Sequence, residues 1–432
     1  MPRLFIPNAE EALPYADASF RDFFEAKTLK MFPRFLGSLK TGDILLSPLT
    51  IETAFADYIC RLLNLGRPSE VIINFELASS YLVGESISQD AQARQEIARR
   101  CSNSTRYELE PYMQTEAVHC LGRELALPVR GTSSELVNQG LIEAINDKSF
   151  CKGLGLGCQC RVVSGLQADS LPDLKRGIAQ LSRHLSTDQH DLIMLRKVKY
   201  AGGAGNLVGT AEELQQKVST WYNVGRVLVE PFMPFARICG SLSVLEESGP
   251  HFIGLDSQVF NEDGWCGFDY PAHFELKKQA VLSKLEGVTK RLEHALFQAG
   301  ARGLLNIDWG LVQEEDGLLE PVLLECNFRH NGFSYVVDIA KKLFGSRWRD
   351  MYIRSREAVP TSCANAQAVL QALAPLTFEG EPILLRQAGS ERGLVVTSPP
   401  AHGGAALAVF GDTTEYADSI LEMAKRALNR SY

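Results

Sequence analysis

The stretch LLNIDWGLVQEEDGLLEPVLLECNFRHNG, residues 304–332, decides the fold of this chain. Two apolar runs flank the turn sequence EEDG at 314–317, and this pattern predicts a pair of antiparallel strands. Side chains alternate between the two faces of a strand, so Glu325 and Asn327 point to the same side. If the turn closes the hairpin, Asp308 on the first strand reaches the same spot. Two carboxylates and one amide oxygen suit Mg²⁺. A hairpin that binds no metal and has solvated polar residues at its rim would show the same sequence pattern.

A second candidate site is the glycine-rich segment AGGAGN at 201–206. It follows a strand-like run that carries Arg196, Lys197 and Lys199. Glycines allow backbone N–H groups to close around phosphate oxygens, and a lysine supplies the positive charge. The segment lacks both the Gly-Lys-Ser/Thr of a Walker loop and the Gly-x-Gly-x-x-Gly of a dinucleotide site. A flexible hairpin turn is the alternative interpretation.

Five segments occur in an order that resembles a known family. They are NDKSFCK at 146–152, MLRKVKYAGGAGN at 194–206, RVLVEPFM at 226–233, NIDWG at 306–310 and LLECNFRHNG at 323–332. In this order the chain resembles the ATP-grasp superfamily of ATP-dependent carboxylate ligases. The segments before and after this core are most similar to those of the pheganomycin-type bacterial peptide ligases, which have a pre-ATP-grasp domain.

The resemblance implies an α/β (α+β) ATP-grasp fold in four parts. They are an N-terminal α/β pre-ATP-grasp domain at 1–130, a lid subdomain at 131–235, a metal-binding catalytic subdomain at 236–359, and a small C-terminal strand-strand-helix extension at 360–432. The residues themselves agree with this division, because short apolar runs alternate with helical patterns over the first 130 residues. The helical pattern SELVNQGLIEAINDKSF follows, with Ser133 or Ser134 as its cap.

The C-terminal extension must pack against the rest of the protein. Two strands are too few for an independent domain, and the helix from about Thr414 has one apolar stripe, with Asp412 and Glu415 at capping-box spacing. We expect the extension to dock on the core near the mouth of the active site, with the loop at 398–404 helping to enclose a substrate. An extension that only covers an edge of the core or forms a dimer contact is the alternative.

The resemblance also implies the residues that bind ATP. Lys148 and Lys197 match the lysines that contact the phosphates, with Lys199 as the alternative to Lys197. Gly202, Gly203 and Gly205 would cover the triphosphate. Residues Glu230 to Met233 match the hinge whose backbone recognises adenine. Pro231 has no N–H but keeps the carbonyl that accepts from the adenine amino group, and Met233 would supply the N–H for the ring nitrogen. Where relatives often hold the ribose with an acidic residue, this chain reads ARICGSLS, so the ribose contacts are unassigned.

The remaining implied site residues surround the transferred phosphoryl group. Asp308, Glu325 and Asn327 match the metal ligands, and Arg329 matches the arginine that stabilises the transferring phosphoryl group or an oxyanion. His330 lies close to this edge, but a lone histidine beside a loop is more often structural. No general base for the amine is identified.

The function implied is an ATP- and Mg²⁺-dependent carboxylate-amine ligase. It would form a peptide or amide bond through an acyl phosphate, from small substrates such as amino acids or peptides, in the biosynthesis of a peptide-like metabolite. Loading of an amino acid onto a carrier protein is one alternative. A nucleotide-binding module without catalysis is another, although such a module does not need a full phosphoryl-transfer set.

Composition excludes several other classes. The 52 acidic and 44 basic residues give a net charge of -8, which argues against nucleic acid as a partner. No apolar run approaches the length of a membrane helix, and Glu10 and Glu11 stand where a signal peptide would be apolar, so we expect a cytoplasmic protein. The 10 cysteines are too scattered for a disulfide scaffold and lack zinc spacing. A homodimer is left open.

Overall fold

The computed structural model describes most of the chain, and the account below is confined to that part. The described residues are 1–9, 29–77, 83–101, 107–185, 192–198, 205–222, 225–262, 264–272, 278–387, 389–401 and 403–429.

The N-terminal part is built on a four-stranded parallel sheet with the strand order β3-β2-β1-β4. Its strands are β1 (Arg3–Ile6), β2 (Ile44–Ser47), β3 (Ile72–Asn74) and β4 (Glu108–Pro111). Its helices are a 3-10 helix (Leu29–Ser38), α1 (Thr53–Leu62), α2 (Pro68–Val71), α3 (Val83–Gln89), α4 (Ala91–Cys101) and α5 (Glu116–Glu124). Strands β1 and β2 are buried along their whole length, as expected for a parallel sheet covered on both faces. The predicted alternation of strands and helices is confirmed.

Three short helices follow where the sequence predicted one long helix. They are α6 (Ser134–Asn138), α7 (Leu141–Ile145) and α8 (Lys148–Gly157). Ser133 caps α6 as predicted, since its side chain accepts a hydrogen bond from the N–H of Leu136. The first break comes at Gly140, whose φ of 83° is left-handed and ends a regular helix. Asp147 then caps α8, so Lys148 is the first residue of that helix.

A small antiparallel sheet with the strand order β6-β9-β7-β8 forms the next unit. Its elements are β6 (Leu166–Ala168), α9 (Leu171–Leu185), β7 (Leu192–Lys197), β8 (Asn206–Thr210), α10 (Ala211–Trp221) and β9 (Val227–Pro231). This unit has an apolar core of its own, which includes Leu174, Ile193 and Val218. The strand β8 was not predicted, and it directly follows the glycine-rich segment.

A nine-stranded sheet with the order β18-β19-β15-β12-β11-β10-β13-β14-β5 dominates the rest of the molecule. Its central elements are β5 (Arg161–Val162), β10 (Arg237–Glu246), β11 (Gly249–Asn261), β12 (Gly264–Tyr270), α11 (Lys278–Gln298), β13 (Gly303–Gln313), β14 (Leu319–Asn327), α12 (Gly332–Phe344), a 3-10 helix (Gly345–Asp350) and β15 (Tyr352–Pro360). Strands β13 and β14 are antiparallel, which confirms the predicted hairpin.

The C-terminal extension continues this same sheet. Its elements are α13 (Ala366–Leu373), β16 (Thr377–Phe378), β17 (Glu381–Pro382), β18 (Gly393–Ala401), β19 (Gly404–Gly411) and α14 (Thr414–Leu428). Strand β19 pairs with β15, so the extension docks on the core as predicted. It docks at the edge of the sheet opposite to β14 and β5, so the predicted position near the mouth of the active site is wrong. The cap of α14 is Thr413, which accepts a hydrogen bond from the N–H of Tyr416, and the predicted Asp412 cap is wrong.

All ten cysteines are free thiols, and five of them are buried. Burial raises the pKa of Cys160 to about 11, so this thiol stays protonated at neutral pH. None of the helices in the described part of the chain has the length and apolar character needed to cross a membrane.

Candidate active site

The hairpin of β13 and β14 brings the three predicted metal ligands together. Asp308 is the direct cross-strand neighbour of Glu325, and Asn306 is the neighbour of Asn327. The amide Nδ2 of Asn327 lies 2.9 Å from Oδ2 of Asp308 and 3.5 Å from Oε1 of Glu325. Neighbouring side chains on paired strands share a face, which explains why the three groups converge.

Asp308 is held by two further amides. Nε2 of Gln258 on β11 donates to Oδ1 of Asp308 at 2.6 Å, and Nδ2 of Asn306 donates to the same oxygen at 2.7 Å. Burial, and then the neighbouring Glu325 carboxylate, raise the pKa of Asp308 to about 7. The two carboxylates therefore resist full ionisation unless a cation joins them.

Lys148 projects into this group from the start of α8. The helix begins here because the side chain of Asp147 accepts hydrogen bonds from the N–H groups of Ser149 and Phe150. Nζ of Lys148 lies 2.7 Å from Oε2 of Glu325. Burial opposes ionisation of Glu325, but Lys148 and Arg196 outweigh it and lower the pKa of Glu325 to about 2.

The lid sheet contributes a second group of charges. On β7, Arg196 approaches Glu325 with Nη2 at 3.5 Å and Glu230 with Nη1 at 3.6 Å. Glu230, on β9, is almost fully buried and also pairs with Lys152 of α8. The site therefore gathers charged side chains from α8, from the lid sheet and from the hairpin.

Lys197 lies on the other face of β7. Its Nζ is 4.9 Å from the centre of the Trp221 ring on α10, within the lid unit. Its backbone N–H donates to the carbonyl of Gly205 at 2.9 Å. The predicted Gly202 and Gly203, together with Lys199, fall outside the described residues.

The predicted hinge lies where the lid sheet joins the large sheet. Glu230 is in β9, and the half-buried Met233 is in the connection between β9 and β10. The N–H of Phe232 donates to the carbonyl of Leu192 at 2.9 Å, so this connection stays attached to β7.

Arg329 is held at the end of β14 by Asn146. Oδ1 of Asn146 accepts from Nη1 of Arg329 at 2.8 Å and from the backbone N–H of Phe328 at 2.9 Å. Nδ2 of Asn146 donates to the carbonyl of Ile142 at 2.8 Å. One amide thus connects the turn before α8, which carries Lys148, to the loop that carries Arg329.

His330 has a partner in the N-terminal part of the chain. Its Nε2 lies 3.2 Å from Oε1 of Glu110, and its backbone N–H donates to the carbonyl of Tyr112 at 3.0 Å. Glu110 also forms salt bridges with Arg3 and Arg130, in which its Oε2 lies 2.9 Å from Nη1 of each arginine. The contacts of His330 described here thus anchor the loop of Arg329 to the N-terminal sheet.

The donor set fits Mg²⁺ bound with a nucleotide. No group of three or more His, Cys, Asp or Glu side chains among the described residues is arranged to hold a metal alone. Mg²⁺ with a nucleotide needs less, because one or two carboxylates suffice when phosphates and waters complete the shell. Asp308 and Glu325 provide the carboxylates, and rotation of the Asn327 amide presents its oxygen. The buried Nε of Arg196, which has no partner in the described part of the chain, suits a phosphate oxygen.

Several of these side chains were not identified from the sequence. Asn146 and Lys152 lie in the quoted segment NDKSFCK, and Arg196 lies in the next one, so their segments were recognised but not their roles. Strand alternation around Lys197 was the signal that would have placed Arg196 on the opposite face. Gln258 and Asn306 carried no signal of their own, since their roles arise only when β11 and β13 enter one sheet.

Comparison with known proteins identifies the fold of the chain. The family model of the Pre ATP-grasp domain matches residues 32–127. The fold is similar to that of the N5-carboxyaminoimidazole ribonucleotide synthetase of Thermus thermophilus, with a TM-score of 0.57 and 15% identity over 100% of this chain and 99% of that one. A search of the curated proteins found no match to the sequence.

Two other solved structures are similar over nearly the whole chain. The biotin carboxylase domain of the Hydrogenobacter thermophilus 2-oxoglutarate carboxylase, solved with MgADP, ADP and bicarbonate, has a TM-score of 0.58 and 13% identity over 98% of this chain and 89% of that one. The L-amino acid ligase of Bacillus licheniformis has a TM-score of 0.52 and 12% identity over 100% and 99%. The chain therefore has an ATP-grasp fold preceded by a pre-ATP-grasp domain. The finer resemblance to pheganomycin-type ligases stays a prediction.

Proposed function

We propose that this protein is an ATP- and Mg²⁺-dependent carboxylate-amine ligase that forms a peptide or amide bond. The observation that carries the proposal is the convergence of Asp308, Glu325 and Asn327 with Lys148 and Arg196 at one edge of the large sheet. The similar structures named above include an L-amino acid ligase and a domain bound to MgADP, which supports the same class of reaction.

Each side chain has a role that follows from its position. ATP, with Mg²⁺ neutralising the charge of its phosphates, would transfer its γ-phosphoryl group to a carboxylate and leave as ADP. The amine would then attack the acyl phosphate, and phosphate and a proton would leave as the amide forms. Asp308, Glu325 and Asn327 would hold the metal, while Lys148 and Arg196 would leave Glu325 for phosphate oxygens. Such exchange would keep Glu325, Lys148 and Arg196 each beside an opposite charge before and after binding.

The remaining residues orient the substrates. Arg329, placed by Asn146, would stabilise the charge that develops on oxygen as the phosphoryl group moves. The backbone around Glu230 and Met233 would read adenine, and Gly202, Gly203 and Gly205 would cover the triphosphate. In the proposed arrangement Lys197 supports the lid or contacts a phosphate, and the variants described in the Discussion decide between these roles.

The function is tested by phosphate release from ATP across a panel of carboxylic acids, amines, dipeptides and carrier proteins, with products identified by mass. A ligase releases phosphate only when both an acid and an amine are present, and an amide appears in equal amount. Glu325→Gln should lower the turnover of the folded protein at least about 100-fold, the typical cost of losing one contact to the charge that develops in the transition state. Its melting temperature should also fall, because Lys148 and Arg196 lose the negative charge beside them. Phosphate release by this variant at the wild-type rate contradicts the metal assignment. Release with no acid in the panel contradicts the ligase function.

A further inference from the structure

Two cysteines face each other next to the candidate active site. Sγ of Cys151 on α8 lies 3.4 Å from Sγ of Cys326 on β14, and the two residues are only 1% and 2% exposed. Both are free thiols, and the proposed reaction uses neither of them. A disulfide between them would need the sulfur atoms to approach to about 2.05 Å, so they would move roughly 1.4 Å closer together.

This thiol pair joins the two elements that carry most of the site. Cys151 lies one helical turn after Lys148 on α8, and Cys326 stands between Glu325 and Asn327 on β14. Nζ of Lys148 lies 2.7 Å from Oε2 of Glu325. A bond between the two sulfur atoms would therefore shift the helix that carries Lys148 against the strand that carries Glu325. A displacement of about 1 Å in a catalytic site can lower the rate about 100-fold.

The sequence of α8, KSFCKGLGLG, indicates a helix that opens locally. It contains three glycines, and glycine makes a helix less stable than alanine does. Gly155 is required by packing, because a Cβ there would lie 2.5 Å from Cδ2 of Leu323. A Cβ at Gly153 or at Gly157 would meet no atom within 4 Å among the described residues, so packing does not require glycine at these two positions. Their effect is a helix that unfolds at a lower cost than the strands beneath it.

Opening of α8 gives an oxidant access to the thiol pair. Cys151 moves into solvent with the helix, whereas Cys326 stays in β14, which is paired with β13 at this position. The sulfur of Cys151 then attacks an oxygen of hydrogen peroxide, the O–O bond breaks, a sulfenic acid forms and water leaves. When α8 closes, the sulfur of Cys326 attacks the sulfenic sulfur, the S–S bond forms and a second water leaves. In total, two thiols lose two electrons and two protons, and one hydrogen peroxide becomes two waters.

We propose that Cys151 and Cys326 form a reversible disulfide that switches off the site under peroxide, and that bound nucleotide protects them from it. A phosphate held by Lys148 keeps the first turn of α8 in place, so the helix opens less often when ATP is bound. A dithiol reductant restores the site by exchange with the disulfide. The effect on turnover rests on the proposed ligase function, whereas the disulfide and the nucleotide affinity are measured without turnover.

The test treats the full chain with hydrogen peroxide and maps the linked peptides by mass. We expect a peptide pair that joins Cys151 to Cys326 and that dithiothreitol separates. Mg²⁺ with a non-hydrolysable ATP analogue, at about ten times its dissociation constant, should slow the linkage about tenfold, because the analogue binds only protein in which α8 is closed. Linkage of either cysteine to Cys158 or Cys160 instead, or no linkage at all, overturns the proposal. Equal rates with and without the analogue overturn the protection by nucleotide.

The effect on the site is measured by calorimetric titration of the linked protein with the same analogue and Mg²⁺. We expect binding at least about tenfold weaker than in the reduced protein, and full recovery after dithiothreitol. Unchanged affinity in completely linked protein overturns the switch.

Variants assign the effect to this thiol pair. Cys151→Ala and Cys326→Ala should each bind the analogue within about twofold of the wild type and keep that affinity after peroxide treatment. The matched control is Cys60→Ala, which removes a buried thiol from α1 and should leave the loss of affinity intact. A loss of affinity that persists in both pair variants overturns the switch. Gly153→Ala, at a position with free space, should stabilise α8 and slow the linkage about fivefold, and an unchanged rate overturns the opening of α8 as the route of access.

Phosphate release is recorded separately, so that the switch and the ligase function can fail independently. Linked protein that keeps the full acid- and amine-dependent release overturns the switch and leaves the ligase function intact. Reduced protein that releases phosphate without an acid contradicts the ligase function, while weaker binding of the analogue by the linked protein still supports the switch.

Discussion

At the scale of single residues, Asn146 joins the two catalytic parts of the site. It accepts hydrogen bonds from Arg329 and from the N–H of Phe328, and it lies two positions before Lys148. Asn146 thus fixes the position of Lys148, on the phosphate side of the site, relative to Arg329 on the substrate side. Phosphoryl transfer depends mainly on such positioning, so a residue that touches no substrate can still set the rate.

Asn146→Ala should lower kcat about 10- to 100-fold, since a misplacement of 1 Å can cost that much, with little change in the affinity for ATP. Asn146→Asp keeps an acceptor oxygen for Arg329 but loses the donor to the carbonyl of Ile142, so it should restore only part of the activity. Steady-state kinetics and nucleotide titration check both variants. A merely structural role predicts instead a lower melting temperature with kcat unchanged in the folded fraction, and that result would contradict the positioning role.

At the scale of elements, strand β7 separates two functions by its alternation. Arg196 faces the buried carboxylates Glu230 and Glu325, whereas Lys197 faces Trp221 within the lid unit. Strand β7 thus presents Arg196 to the candidate phosphate site, whereas the next residue, Lys197, holds α10 through Trp221. The sequence resemblance instead assigns Lys197 to a phosphate of ATP, and Lys197 would have to leave Trp221 to make that contact.

Arg196→Ala should therefore weaken ATP binding at least about tenfold, because a buried, charge-assisted contact is lost and Glu230 and Glu325 lose a cation. Lys197→Ala should leave the affinity nearly unchanged and cost the lid about 2 kcal/mol, the value of a desolvated cation–π contact, since Lys197 is buried. Isothermal titration and thermal unfolding measure the two effects. If Lys197→Ala instead weakens ATP binding more than Arg196→Ala, the sequence assignment is correct and Lys197 must reorient towards the nucleotide.

The elements also show which features could be predicted from sequence. Asp308 and Glu325 were predicted to meet because one turn joins their strands, and local periodicity sufficed. Gln258 reaches Asp308 from β11 across 50 positions, and nothing local to Gln258 signals that contact. The break at Gly140 was missed because the apolar pattern continues through it, and only the left-handed backbone conformation reveals it. Local patterns therefore predicted the hairpin, and long-range pairing supplied the rest of the site.

At the scale of the whole molecule, Glu110 couples the N-terminal sheet to the loop of Arg329. Burial opposes its ionisation, but the hydrogen bond from His330 and the charges of Arg3 and Arg130 lower the pKa of Glu110. A carboxyl group with a depressed folded pKa contributes stability above its unfolded pKa of about 4.3, and this contribution is lost as the pH falls towards the folded pKa. The junction should therefore be acid-sensitive.

Glu110→Gln should reduce the free energy of unfolding by about 1 to 2 kcal/mol at pH 7, because the buried Arg3 and His330 lose a charged partner while Arg3 keeps Asp43. The difference from the wild type should shrink below about pH 4, where the Glu110 carboxyl group of the unfolded wild-type chain takes up a proton. Urea unfolding of both proteins at several pH values between 3 and 7 measures this difference in the free energy of unfolding. A difference that is the same at every pH would show that the charge of Glu110 does not stabilise the junction.

The C-terminal extension is a part of the large sheet rather than an appendage. Strand β19 pairs with β15 from Tyr352 to Pro360, and Leu394, Leu407 and Phe410 are fully buried in the main core. The extension also reaches the N-terminal part, since the N–H of Ala366 donates to Oε2 of Glu52 at 2.7 Å. Between β19 and the hairpin of the site lie β15, β12, β11 and β10, a width of about 24 Å at the usual strand spacing. This placement favours the covering of a core edge over the enclosure of a substrate.

Deletion of the chain after Pro360 should therefore yield insoluble protein. Each fully buried Leu, Val or Phe contributes about 1.5 to 3 kcal/mol, so the loss of several exceeds the 5 to 15 kcal/mol that stabilise an ordinary domain, and the edge of β15 becomes open to aggregation. Solubility and circular dichroism measure this result. The structure places most of the predicted loop at 398–404 in the irregular end of β18 and the start of β19. The matched control replaces Pro399 and Pro400 of this irregular end by glycine; neither residue has a register partner in β19, so the pairing of β18 with β19 is kept. If the extension only covers an edge, this control keeps its fold and its ligase kinetics; loss of amide formation with ATP binding retained would instead assign the loop to the enclosure of a substrate.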